Sequence, residues 1–394
     1  MSIRPDPASQ LARDQHALRV GIIAPPWLPV PPTAYGGTEN VLDILARGLQ
    51  AAGVDVVLFT TGDATCSVPR KWVFPDAIGV GNGGAAEEAR HVIGAYQQLR
   101  DVDVIHDHTI VGPLYAQGIE SPPVLTTNHG PFNGILAPLY RAVSAHTPVI
   151  AISHHQASTA IGTSIAAVIH HGIDVERIPF GSGGGGYAAF LGRMHPDKGV
   201  EEAIAAARAA GIPLRIAAKM SEPAEREYFA SRVAPHLGDD VEYQGELSRN
   251  EKYDFLKEAV CLLNPIRWAE PFGMVMIEAL ACGTPIVTNG QGSACEIVDE
   301  GETGYLCGGL GSRVRALQKV ETLDRSRCRA VAEQRFSSHR MVAGHIATYR
   351  RTIEGISEYR DTAAHAPVAH TRKAPESSRP GHRSLQPWKS TSVA

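Results

Sequence analysis

The 394 residues carry 37 Lys and Arg against 41 Asp and Glu, a formal charge of −4, with 43% hydrophobic and 20% charged side chains. This balance leaves no basic, aromatic-interleaved stripe for nucleic acid, and no apolar run is long enough to span a bilayer. The length allows two or three domains. The first stretch, MSIRPDPASQLARDQHALR, is polar and lacks the apolar centre of a secretory signal. Cys66, Cys261, Cys282, Cys295, Cys307 and Cys328 form neither a CxxC pair nor a metal-ligand spacing. Most of them sit beside apolar residues, as small reduced core side chains do. Together these features predict a cytoplasmic protein.

In chain order, RVGIIAP (19–25), VDVVLFT (54–60), DVDVIHD (101–107), PPVLTTN (122–128) and TPVIAIS (147–153) read as buried parallel strands. Between them, ENVLDILARGLQAAG and EEARHVIGAYQQL have helical spacing, the first stopping at Gly53. This alternation predicts an α/β fold with an open doubly wound sheet. The run FGSGGGG (180–186) predicts a flexible hinge, because tandem glycines carry the highest backbone entropy. The alternation then restarts through YAAFLGR, a helix over 199–210, PLRIAAK, VEYQG, a helix over 249–259, VCLLNP and PIVTN. Two helical patterns follow from Asp324 to Tyr359, and the Pro-, Ser- and basic-rich tail predicts disorder. The expected layout is a disordered 1–18, an α/β domain over 19–180, a linker at 181–186, a second α/β domain over 187–336, a helix over 337–360 and a disordered 361–394.

Ligands of open α/β sheets bind at the carboxyl ends of strands, and the unusual motifs fall there. The first strand runs into APPWLPVPPTAYGGTEN, where Gly36 and Gly37 let backbone approach a ligand and Thr38 caps the next helix. A plain strand-to-helix turn also uses such glycines. GxGxxG is absent there, which argues against NAD or FAD. In YAAFLGRMHPDKG, Arg193 leaves a strand and Lys198 opens a helix, a pair suited to a diphosphate or to surface acids.

The stretch WAEPFGMVMIEALACGTPIV (268–287) places Glu270 in a loop and Glu278 on a helix starting near Phe272 or Gly273 and stopping before Gly283. The amides of Phe272, Gly273 and Met274 lie between the two acids. Taken alone, the acids fit two buried salt bridges as well as a polar ligand. His106, Asp107 and His108, like the pairs His154–His155 and His170–His171, are expected to point to opposite strand faces and so not to share an ion. His129, in TTNHG at a strand end, is placed for a pocket. No nucleophile elbow is present.

The ordered set GGTEN, TTNHG, GRMHPDKG, YQGEL, EPFGMVMIE, ALACGTPIV and EIVDEGETGYL resembles the retaining GT-B glycosyltransferases of the family-four branch, over about 19–359. The resemblance implies two Rossmann-like domains facing each other across a cleft, the first for the acceptor and the second for a nucleoside diphosphate sugar. Glu270 would bind donor-sugar hydroxyls, and Glu278 the ribose diol. Arg193 and Lys198 would neutralise the diphosphate, aided by backbone at Gly36, Gly37, Phe272, Gly273 and Met274. Tyr243, Gln244 and Gly245 would border the base, and His129 would face the sugar.

The implied reaction moves a hexosyl group, from a UDP-glucose or GDP-mannose type of donor, to a hydroxyl with retention. It uses neither a metal nor a bound cofactor. The acceptor is a small molecule, glycan or lipid. With only Arg141 as its cation, GILAPLYRAVSAH predicts at most weak membrane association. The departures are His195 within GRMHPDKG and Cys295 ahead of Glu296. A nucleotide-sugar epimerase of the same fold, a phosphorylase and a non-catalytic nucleotide-sugar-binding module are the rival readings.

Overall fold

Seven strands form the first sheet: β1 (Arg19–Ile23), β2 (Asp55–Thr60), β3 (Arg70–Trp72), β4 (Val104–Asp107), β5 (Val124–Thr127), β6 (Val149–Ala151) and β7 (Ile165–Val168). All pair in parallel, in the order β3-β2-β1-β4-β5-β6-β7. Six more form the second sheet: β8 (Ala188–Arg193), β9 (Leu214–Lys219), β10 (Val241–Tyr243), β11 (Cys261–Asn264), β12 (Ile286–Asn289) and β13 (Gly304–Cys307). Their order, β10-β9-β8-β11-β12-β13, repeats the winding of the first. Central strands such as β4, β5 and β11 are buried along their whole length, because helices cover both faces. In each sheet the winding reverses beside its first strand, at β1/β4 and at β8/β11, opening a crevice at the carboxyl ends.

The computed structural model describes residues 17–33, 36–79 and 84–364. Apart from Ala17, Leu18 and the last turn of the final helix, the expectations of disorder at the two ends fall outside these residues. That helix runs Ser338–Ala364, a few residues past its predicted end. The chain to Ile356 forms one compact unit. Within it, Val342 and Tyr349 are buried, and the Tyr349 hydroxyl meets His106 Nδ1 of the first sheet at 2.9 Å. No helix among the described residues is long and apolar enough to cross a membrane.

The glycine run is tied down rather than loose. The amides of Gly181, Gly183 and Gly185 donate to Cys282, Lys257 and Glu258 carbonyls, and Arg325 donates to Gly181. A Cβ at Gly181 would lie 2.2 Å from the Lys257 carbonyl oxygen, so close backbone approach requires glycine there. Entropy alone, the basis of the sequence expectation, does not see that contact.

The helix after β1 spans Gly37–Ala51 with Gly36 at its N-cap. Thr38 therefore sits inside the first turn, correcting its expected role as the cap. The helix carrying Glu278 spans Met274–Ala281 and stops at Cys282, with Gly283 at φ +77°, as the residue pattern predicts. The strands β3, β7 and β13, all short edge or near-edge elements, were not anticipated.

Candidate active site

The carboxyl ends of the two sheets line one cleft of about 590 Å³. The first sheet contributes Gly36, Gly37, Glu39, Asn40, His129 and His171; the second contributes Arg193, Lys198, Lys219, Lys252, Glu270 and Glu278. Lys198 ends a short 3₁₀ turn (Pro196–Lys198), and Gly199 follows at φ +78°. A Cβ at Gly199 would stand 2.1 Å from the Pro265 carbonyl oxygen. The turn is thus pressed against the end of β11, which delivers Lys198 to the loop holding Glu270.

Both glutamates have lysine partners. Lys198 Nζ pairs with Glu270 Oε1, each side chain about 16% exposed. Lys252 Nζ lies 2.7 Å from Glu278 Oε1, and Glu278 is 6% exposed. The salt bridges that the acids alone suggested are real, yet all four groups face the cleft. A buried pair of this kind is worth little to stability against apolar replacements. Its retention at a cleft wall fits a set of charges meant for a ligand.

Arg193 Nε stands 3.7 Å from Glu225 Oε1, and Lys219 Nζ lies 3.6 Å from the same oxygen. Arg193 and Lys219 are register partners at the ends of β8 and β9, so one buried carboxylate orders two cations. Burial pushes the Glu225 carboxyl up, but the Glu222 and Ser221 amides, with the two cations, hold it below its ordinary value. Arg249 Nη2 donates to Asn40 Oδ1 at 2.7 Å and bridges the cleft walls. Burial raises Glu39, in the first turn of the Gly37 helix, to about 7.

His106 and His108 correct the expectation of opposite faces. Their ring centroids are 3.9 Å apart, because residues two apart along a strand share a face. His108 Nδ1 meets His129 Nε2 at 2.9 Å, and His129 stacks on His171 at 5.2 Å. Burial drives His129 down to about 4, and His106, His108 and His171 well below the ordinary imidazole value, so the cluster is neutral near pH 7.

Tyr243, Gln244 and Gly245 do not line the cleft. The Gln244 amide and the Gly245 carbonyl are spent on β9, through Ile216 and Ala218, and the Tyr243 hydroxyl donates to the Ala218 carbonyl. Glu246 and Leu247, just beyond, line the wall instead. Gly273 also stays off the surface while Phe272 and Met274 reach it. Sequence reading missed Lys252, Lys219, Glu225 and Arg249. Arg249 and Lys252 lie in a charge-rich helix (Arg249–Glu258) and Glu225 in another (Pro223–Tyr228), where charge alone singles out no residue.

Among the described residues, His154, His170 and Glu296 bring ligand-type atoms within 4.8 Å of one another. Glu296 is already engaged: it accepts the His154 and His155 amides at 2.9 and 2.6 Å and meets His170 Nε2 at 2.7 Å. It therefore clasps the second sheet's layer to the first. Burial opposes its charge, but His170 and the two amides hold it at about 2. A folded value below the ordinary 4.5 means that this stabilisation is present above pH 4.5 and is lost as pH falls toward 2. Glu296→Ala is expected to cost about 1.5–3 kcal/mol at pH 7, the worth of hydrogen bonds to a charged group. In melting curves the gap to the parent chain should narrow as pH drops below 4.5. A gap that did not change with pH would remove the carboxylate from that role.

Two parallel-sheet lobes sharing one cleft of cations and acids, each wound as described, define the GT-B class of nucleotide-sugar enzymes. Residues 35–177 match the family described as Glycosyltransferase Family 4, and residues 176–332 that described as Glycosyl transferases group 1. The chain belongs to this family-four type of glycosyltransferase.

A Mycobacterium tuberculosis (strain CDC 1551 / Oshkosh) glycogen synthase is 32% identical over 45% of this chain and 45% of its own length. The chain therefore aligns with about half the length of that curated relative. A Mycobacterium leprae phosphatidyl-myo-inositol mannosyltransferase is 24% identical over 73% of this chain and 83% of its own. A crystallised glycosyltransferase of avilamycin A biosynthesis is 26% identical with TM-score 0.65, covering 86% of this chain and 98% of that one. Anabaena HepE in complex with UDP-glucose has the same fold, with 18% identity and TM-score 0.64 over 86% of this chain and 100% of that one.

Proposed function

We propose that the chain transfers a hexosyl group from a nucleoside diphosphate sugar to an acceptor hydroxyl, with retention and without a metal. The observation that carries this reading is the pair of lysine–glutamate contacts, Lys198–Glu270 and Lys252–Glu278, set along one cleft wall beside Arg193. Glu270 takes the sugar hydroxyls and Glu278 the ribose diol. Lys198 and Arg193, with the N-terminus of the Met274 helix, meet the diphosphate between them. As the bond from the anomeric carbon to the phosphate oxygen breaks, negative charge grows on the diphosphate. Fixed cations and helix amides stabilise that charge with little reorganisation. The acceptor hydroxyl attacks from the face the diphosphate leaves, and its proton passes to the departing phosphate oxygen. Anomeric configuration is thereby kept.

HepE, crystallised with UDP-glucose, supports a UDP-hexose donor, and the mannosyltransferase relative keeps a mannosyl donor in play. That relative's name also makes a lipid-linked hydroxyl one acceptor to try, beside glycans and small molecules. Thermal melting with UDP, GDP and ADP, each alone and as its sugar, tests the donor side. A binder present at about 100 times its Kd should add about 2.7 kcal/mol to stability. If no nucleoside diphosphate or its sugar shifts the midpoint, the reading fails. With a binding donor, free nucleoside diphosphate should appear only when an acceptor is added, whereas an epimerase would isomerise the donor alone.

A further inference from the structure

We infer that His108 is a positioning residue that fixes His129 as an N–H donor toward the cleft, not as a base. The argument begins at an orphan atom. His108 is buried, its Nδ1 meets His129 Nε2 at 2.9 Å, and its own Nε2 is buried with no hydrogen-bond partner. A neutral imidazole carries one N–H. If His108 held its proton on Nε2, an N–H would be sealed in the core without an acceptor, the rarer and costlier kind of unpaired group. With the proton on Nδ1, only a lone pair is left unpaired. His108 therefore donates from Nδ1, and His129 accepts at Nε2.

The consequence passes directly to His129. Its Nε2 is occupied as an acceptor, so its single proton sits on Nδ1, the nitrogen left for the cleft that His129 lines. Burial keeps both rings neutral, bringing His129 down to about 4 and His108 well below the ordinary imidazole value. The surroundings reinforce this tautomer. The His106 ring lies tilted against His108 with centroids 3.9 Å apart and spends both its nitrogens on Tyr349 and Thr127, while His171 stacks on His129. None of these contacts supplies His108 Nε2 with an acceptor. An N–H aimed into the cleft hydrogen-bonds an oxygen of the donor sugar and cannot take the acceptor's proton. This use of the tautomer rests on the transferase reading, whereas the tautomer itself does not.

Two variants of the full chain separate the outcomes. In His108→Asn an amide N–H stands near the place of Nδ1 and still donates to His129. In His108→Asp a carboxylate stands there, which accepts only and pulls the His129 proton onto Nε2. Nitrogen-15 spectra of histidine-labelled protein, with His129 assigned by its own deletion, should show the Nδ1–H form in the parent and in His108→Asn. His108→Asp should show the Nε2–H form. Turnover should stay within a few-fold in His108→Asn and fall about 10–100-fold in His108→Asp, the range for partners one step removed from the reacting atoms. The KM for the nucleotide should be unchanged in both. An Nε2–H form in the parent, or equal spectra for the two variants, overturns the inference. The expected spectra with no turnover from any donor would instead defeat the transferase reading and leave the tautomer standing.

Discussion

Lys198→Ala is expected to lower kcat about 10²–10³-fold, the cost of removing one preorganised charge-stabilising group from a site. The lysine lies between Glu270, to which it is paired, and the space where the diphosphate of a donor would sit, with the Trp268 ring 5.9 Å from Nζ. On the proposed transfer its charge would act most strongly as the glycosyl–phosphate bond breaks, so the loss should fall on kcat rather than on donor KM. A structural explanation makes a different forecast. Glu270 would be left unpaired in a largely buried position, and the chain would lose about 3–5 kcal/mol of stability along with activity. Lys198→Ala combined with Glu270→Gln distinguishes the two, because it removes the stranded carboxylate. Recovered stability with kcat still depressed well below that of Glu270→Gln alone places Lys198 in the chemistry. Recovery of turnover as well would reduce it to a partner for Glu270.

The readable and unreadable parts of this chain divide by distance along the sequence. The helix of Met274–Ala281 was legible because its signals are local: Pro271 before it, Gly283 and Pro285 after it, and an apolar run broken only by Glu278 between. The strands were legible because central parallel strands are buried on both faces and show as short aliphatic runs. β3 (RKW) gives no such signal, since its edge position leaves every residue partly or fully exposed. In the cleft, Glu270, Glu278, Arg193 and Lys198 stood out by residue type at strand ends. Their pairing did not. Lys198 is 72 positions from Glu270, and Lys252 is 26 from Glu278. Contacts at such range depend on sheet order, which no local pattern states. Tyr243 to Gly245 were picked out as a strand end, but they lie off the cleft lining, with the Gln244 amide and the Gly245 carbonyl committed to β9. The histidines failed on geometry, since His106 and His108 share a face and build the cluster that orders His129.

Glu278→Gln is expected to weaken nucleoside diphosphate binding about 10–100-fold while changing kcat little, because hydrogen bonds to a charged group contribute about 1.5–3 kcal/mol and the proposed ribose contact would be held equally before and during reaction. Titration of the donor and of the free diphosphate checks it, both falling together. The carboxylate sits on the second turn of its helix, 6% exposed, with Lys252 Nζ at 2.7 Å on one oxygen. One oxygen held by the lysine leaves the other for a diol, so the pair orients the acid as well as compensating its charge.

Lys252 then has a calculable part. Lys252→Met alone should weaken nucleotide binding less than Glu278→Gln, since the acid remains but is no longer aimed. Combined with Glu278→Gln it should add little, because contacting residues that serve one interaction are not additive. A double variant whose losses simply sum would show that Lys252 meets the nucleotide independently, on the phosphate side. If Glu278→Gln keeps the parent's affinity for every diphosphate that binds, the Lys252–Glu278 pair is a structural tie between two helices, and the ribose must be held elsewhere on the wall.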